Sequence, residues 1–246
     1  MGKEKITLAT TWIVMAAMLA VFVSASDPDP LQDFCIADVW SWTHVNGYAC
    51  YDPLKARNED FVYRGLRKAG DTTKEFGAPI TEAFVKQWPA LNTQGISWAR
   101  VDYAVNGLNN LHWHPRASEI FYCQEGTLLV GFVDTIENKF WYNTLEPGDL
   151  AIIPRGLLHF DMNIGTKPAM AHNAHNSQNP GHQAEGKATF GSYPPIGDNV
   201  LTKGFDLDEK TVQQLKQFFA KEKIQDQSLV PDNSVNEVAD FDVVDR

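Results

Sequence analysis

Gly148-Asp149-Leu150-Ala151-Ile152-Ile153-Pro154-Arg155-Gly156-Leu157-Leu158-His159-Phe160-Asp161-Met162-Asn163 is the stretch that decides the fold. An aliphatic run, a Pro-x-Gly turn and a second apolar run make it a strand, a tight turn and a returning strand that carries His159. The same grammar repeats from Ile96 onward. Short runs of β-branched, aromatic and aliphatic residues are separated by Asn106-Gly107, Glu125-Gly126, Asn138-Lys139, Glu146-Pro147-Gly148-Asp149 and Gly165-Thr166-Lys167. Many short strands at close spacing form a sandwich or a barrel, so the chain is all-β.

Working back from His159, the next unit is His112-Trp113-His114. Alternate residues on a strand share a face and lie about 6.6 Å apart along it, which lets two imidazoles reach one ion at about 2.1 Å. Taken alone, His-x-His is weak evidence and describes an ordinary surface or core pair equally well. Glu119 follows five positions after His114, an odd offset that a straight strand would turn away. Pro115 supplies the break, because it cannot donate to a ladder and suits a bend or bulge.

These two units resemble the two motifs of the cupin superfamily. The second motif is Gly, five residues, Pro-x-Gly, two residues, His, three residues, Asn, and every fixed position is met from Gly148 to Asn163. The first is Gly, five residues, His-x-His, three or four residues, Glu, six residues, Gly, and it is met from His112 to Gly126. Its leading Gly is replaced by Asn106, a residue that tolerates positive φ. The resemblance narrows to the germin-like proteins through Ser26-Asp27-Pro28-Asp29-Pro30-Leu31-Gln32-Asp33-Phe34-Cys35, His114-Pro115-Arg116-Ala117, Pro154-Arg155-Gly156-Leu157 and Asn176-Ser177-Gln178-Asn179-Pro180-Gly181. It covers residues 26–222. It implies a single cupin jelly-roll β-barrel, a disulfide between Cys35 and Cys50, and one Mn(II) per chain on His112, His114, Glu119 and His159. It further implies a terminal helix used in oligomer contacts, and hexamers in the apoplast, the plant cell wall space.

The residues agree with such a centre. Three imidazoles and one carboxylate without a thiolate suit Mn, Fe, Ni or Zn, and manganese is the weakest binder of that series. Cys123 is no fifth ligand, since it lies four strand residues, about 13 Å, beyond Glu119. In an oxidising compartment Cys35 and Cys50 are the expected pair and Cys123 stays free; two unpaired buried thiols are the alternative.

Composition sets the surroundings. The formal charge of -10 and the scattered Lys and Arg residues leave no electrostatic footprint for a nucleic acid, so small-molecule partners are expected. Lys3 and Lys5, an apolar run from Trp12 to Val23 and the small exit Val23-Ser24-Ala25 form a secretory signal over residues 1–25. A membrane anchor competes, but a spanning helix wants about 20 apolar residues and the run reaches that only by counting threonines, so no stable anchor is expected. The stretch to Gly77 has no sustained period and is loop-like, and Thr81 to Trp88 suits a short helix ended by Pro89. Val212, Leu215, Phe218 and Phe219 form one face of a short C-terminal helical segment capped by Asp208. Residues 223–246 are acidic and aperiodic, and are expected to be disordered.

The family resemblance implies two main activities, superoxide dismutation and oxalate oxidation. Oxalate oxidases of the family place one amide three residues before the first ligand, here Asn109, and another thirteen before it, where this chain has Ala99. Ala99 cannot hydrogen-bond a carboxylate, which speaks against oxalate oxidation. Asp161, where the family shows Gln, shares the strand face of His159 and is either a proton relay or a solvated or hydrogen-bonded Asp at the barrel mouth. His44, His172, His175 and His182 are expected to be surface or structural residues. Superoxide dismutase is the expected activity; a non-catalytic wall or storage-type protein, and a nucleotide-sugar diphosphatase, are the other readings. No Asn-x-Ser/Thr sequon is present, so no N-glycan is expected.

Overall fold

The computed structural model describes residues 32–43 and 47–226. The expected signal segment and most of the acidic tail lie outside the described residues. Two compact units divide the chain after His182.

The first unit is built on two antiparallel sheets. One holds β1 (Ile80–Ala83), β2 (Ser97–Tyr103), β9 (Ala169–His175), β4 (Glu119–Glu125) and β7 (Leu150–Ile153), in that order. The other holds β3 (Leu108–Trp113), β8 (His159–Asn163), β5 (Leu128–Val133) and β6 (Phe140–Leu145). Consecutive strands mostly lie in different sheets or as non-neighbours, the crossing pattern of a jelly roll. The expected all-β cupin barrel is what the chain forms. The turns close where positive φ is tolerated: Asn106 at the β2–β3 corner has φ 61°, and Gly156 in the Pro-x-Gly turn has φ 73°.

The barrel interior is divided along its length. At one end Val101, Tyr103, Phe121, Cys123, Leu128, Val130, Leu145, Ile153 and Ala171 pack as an apolar core. Cys123 is fully buried there, and burial pushes its thiol up to about 11. Towards the other end the inward positions turn polar: Ser97 on β2, Asn173 and His175 on β9, Glu119 on β4, Asn109 and His112 on β3, His159 and Asp161 on β8.

The described residues between 32 and 77 form no long strand, only short 3-10 turns such as Pro53–Lys55 and Asn58–Phe61, in line with the missing period. The segment is anchored by the Cys35–Cys50 disulfide, by an Ala37–Cys50 bridge and by the fully buried Asn92, whose Nδ2 donates to Tyr48 O at 2.9 Å. The helix expected over Thr81–Trp88 is not formed. Ile80–Ala83 pairs instead with Trp98–Val101 of β2. Ala83, Phe84 and Val85 are buried in succession, which a helical face does not allow. Only one turn follows, closed by Trp88 N donating to Phe84 O at 2.7 Å.

The second unit is helical: α1 (Glu185–Phe190), α2 (Asp198–Phe205) and α3 (Glu209–Asp226). It is larger than the single segment expected. Asp208 caps α3 as foreseen, its Oδ1 accepting from Thr211 N at 2.9 Å. Val212 is buried and Phe219 lies over Gly186, where an added Cβ would come within 2.1 Å of the ring. Phe218 does not share that face and is 51% exposed.

The disulfide closes a loop with a sequence separation of 15. Replacing Cys35 and Cys50 together by Ser should lower the unfolding free energy by about 3 kcal/mol. Urea denaturation of the two proteins measures the difference, and an unchanged midpoint would show that the buried Asn92 contacts alone hold the segment.

A candidate metal centre

His112 and Asn109 are three residues apart, yet both face inward, which a regular strand forbids. A β-bulge between them in the β3–β8 ladder shifts the register and restores both to the interior. After Trp113 the chain leaves the second sheet. His114 is the first residue beyond β3, Pro115 and Arg116 make the turn, and Glu119 opens β4 in the first sheet. The break expected at Pro115 is therefore a change of sheet. His159 is the first residue of β8, opposite His112 in the ladder.

Candidate donor atoms of His112, His114, Glu119 and His159 all lie within 4.8 Å of one another, and all four residues are buried. Their orientation comes from the backbone. His112 Nδ1 lies 2.7 Å from Asn110 O, His159 Nδ1 lies 2.8 Å from Leu157 O, and His114 Nδ1 meets Gly181 O. A carbonyl only accepts, so each Nδ1 carries the proton and each Nε2 keeps its lone pair. Those lone pairs gather about Glu119: its Oε2 is 3.0 Å from His114 Nε2 and 3.3 Å from His159 Nε2. Neither Glu119 Oε2 nor His159 Nε2 has a hydrogen-bond partner, because the atoms point to a common centre rather than at one another. Two buried, unsatisfied acceptors of this kind, in an N3O donor set, fit a divalent cation.

The Asn176–Gly181 segment fixes the turn that carries two of these residues. Ser118 N donates to Asn176 Oδ1 at 2.8 Å, Arg116 N to Pro180 O at 3.1 Å and Arg116 Nε to Asn179 O at 2.7 Å. Asn163, last residue of the second motif, ties two loops by donating to Ala104 O and Lys167 O at 2.9 and 2.8 Å.

Asp161 is hydrogen-bonded rather than solvated. It is 1% exposed, Tyr103 Oη donates to its Oδ1, and Asn109 Nδ2 donates to its Oδ2 at 3.1 Å. Burial pushes its carboxyl up to about 7, against the pull of those two hydrogen bonds. Ala99 is buried opposite Asn173, whose Oδ1 lacks a partner.

Of the other histidines, His172 is structural and accepts from Trp98 Nε1 at 3.0 Å, while His182 is exposed with its ring stacked 4.4 Å from that of His112. His44 lies outside the described residues. His175 is the one whose surroundings the sequence hid: it is an interior residue, with its Nε2 3.8 Å from Glu119 Oε2. The signal that could have exposed it is its parity with Ala171 and Asn173 on an alternating strand.

The model of the family described as Cupin matches residues 64–213. A germin-like protein of Oryza sativa subsp. japonica is 48% identical over 216 residues, 86% of this chain and 100% of its own length. A solved structure of a recombinant oxalate oxidase in complex with glycolate is 42% identical, with a TM-score of 0.77 over 80% of this chain and 99% of its own. Peruvianin-I, a cysteine peptidase from Thevetia peruviana latex, is 42% identical with a TM-score of 0.62, over 64% of this chain and 97% of its own.

Tyr103 reaches Asp161 from within the apolar half of the barrel. Tyr103→Phe would strip a hydrogen bond from a buried carboxyl while conserving the ring, and should destabilise the protein by about 1–3 kcal/mol. Chemical denaturation of the metal-free protein tests this; no loss would mean that Asn109 alone suffices.

Proposed function

Because this chain belongs to the germin-like branch of the cupin family, we propose that it is a secreted enzyme that holds one Mn(II) on His112, His114, Glu119 and His159 and dismutates superoxide. The observation that carries this reading is the orientation of the three imidazoles, each with Nδ1 tied to a backbone carbonyl and Nε2 left free beside Glu119. Manganese bound there would supply one-electron redox chemistry between its divalent and trivalent states.

The chain's own residues do the rest. The three histidines and Glu119 arrive already oriented, so little reorganisation accompanies binding. Asp161, two residues from His159 on the same strand face, is our candidate for passing a proton to a small anion at the centre, and Asn109 and Tyr103 hold its carboxyl in place. Dismutation consumes protons, so a buried carboxyl near the site has a use.

Oxalate is a poorer candidate substrate, although the solved neighbour is an oxalate oxidase. Ala99 offers no hydrogen bond, and one of the two Nδ2 hydrogens of Asn109 is given to Asp161. A cysteine peptidase activity has no nucleophile to work with: Cys35 and Cys50 form the disulfide, and Cys123 is buried with a raised thiol pKa.

Secretion to the cell wall space is supported by the N-terminal pattern and by the disulfide. Among the described residues no helix is long and apolar enough to cross a membrane. Assembly into a homo-oligomer, with the hexamer as its expected form, is supported by an outward apolar face on the first sheet formed by Trp98, Ile120, Leu150 and Ile152.

Elemental analysis of the purified protein should find one manganese per chain, with dismutation that chelation abolishes and redox-inert zinc does not restore. Asp161→Gln should slow dismutation tenfold or more if the carboxyl passes the proton, and leave the rate unchanged if it only braces Tyr103 and Asn109. Full manganese occupancy without turnover would overturn the enzyme reading and favour a wall protein with a structural ion.

A further inference from the structure

Between the segment that carries Tyr63 and the start of β2 lies a cavity of about 450 Å³, within the size range of small-molecule sites. Tyr63, Trp88, Leu91 and Trp98 line it, and the rings of Tyr63 and Trp88 stack with centroids 5.9 Å apart. The polar edge of each aromatic side chain is tied elsewhere. Tyr63 Oη donates to Glu82 O at 2.9 Å, Trp88 Nε1 to Asp60 O at 3.0 Å and Trp98 Nε1 to His172 Nδ1 at 3.0 Å. What these rings offer an occupant is therefore their apolar surface. No Lys, Arg, Asp or Glu lines the cavity, so an ion would find no counter-charge there.

Two polar side chains complete the lining, Ser97 of β2 and His175 of β9. They are opposite one another in the β2–β9 ladder, with Glu119 of β4 beyond His175 on the same rung, and each is 4% exposed. Ser97 Oγ and both ring nitrogens of His175 lack a hydrogen-bond partner, and native interiors rarely leave such groups unmatched. Glu119 does not supply the bond, since its Oε2 is 3.8 Å from His175 Nε2, beyond hydrogen-bond reach. An occupant of the cavity can. A ligand hydroxyl both donates and accepts, so it serves Ser97 Oγ and a ring nitrogen of His175 whichever nitrogen carries the proton. Directly opposed side chains have Cβ atoms about 4.5–5.5 Å apart, close enough for one hydroxyl to meet both.

We propose that this cavity binds a small neutral phenol, its ring against Tyr63, Trp88 and Trp98 and its hydroxyl on Ser97 and His175. None of the four metal-ligand residues lines the cavity, so the site needs no ion. His175 stands beside both places, its ring 4.6 Å from that of His114.

Isothermal titration calorimetry of the intact protein with 4-ethylphenol and with ethylbenzene tests this. The phenol should bind saturably and roughly tenfold more tightly than the hydrocarbon, the worth of one net hydrogen bond. That comparison uses the wild-type chain alone and does not depend on how a variant folds. Ser97→Ala should weaken the phenol and leave ethylbenzene unchanged. No saturable binding at millimolar 4-ethylphenol would overturn the proposal and leave the cavity as a surface that a neighbouring copy covers. Equal affinity for the two probes would also overturn it. So would an unchanged phenol affinity in both Ser97→Ala and His175→Phe, which would place the phenol elsewhere on the protein.

Discussion

Everything at the polar end of this barrel depends on three hydrogen bonds between an imidazole Nδ1 and a backbone carbonyl. Asn110, Leu157 and Gly181 supply the carbonyls for His112, His159 and His114. Two of these bonds are local, each to a residue two positions earlier, so the backbone just before the histidine also fixes its tautomer. The third spans 67 residues and exists only because the Asn176–Gly181 segment folds back over the turn at Pro115. Without these bonds the rings would be free to present either nitrogen, and Glu119 would face no ordered set of lone pairs.

The barrel reconciles a buried charge with a stable interior by separating the two along its length. Tyr103, Phe121 and Leu128 fill one end, and the ligand residues occupy the other. Alternation alone sets which residues face inward. The bulge between Asn109 and His112 and the change of sheet at Pro115 depart from alternation, and each returns a polar side chain to the site. Tyr103 joins the two ends, with its ring in the apolar core and its hydroxyl on Asp161.

Much of this was legible in the chain. The strand-turn-strand of Gly148 to Asn163, the His-x-His pair, the break at Pro115 and the cap at Asp208 are local patterns, and each is found where its spacing placed it. The helix expected over Thr81 to Trp88 failed for a non-local reason: β2 offers Ile80–Ala83 an edge to pair with, and those ladder bonds outweigh a weak helical preference. Spacing places both Phe218 and Phe219 on one face of α3, but only Phe219 lies over Gly186, while Phe218 is half exposed.

By itself the sequence determined most of the strands after Ile96, the turns and the identity of four converging side chains, because period, turn chemistry and motif spacing act over a few residues. Only the tertiary structure decided what surrounds them. That Asp161 is enclosed by Tyr103 and Asn109, and that Ser97, Glu119 and His175 share one rung, are facts of register between strands far apart in the chain. A histidine on an alternating strand has the same local pattern whether it meets solvent or a carboxylate; the partner strand settles which.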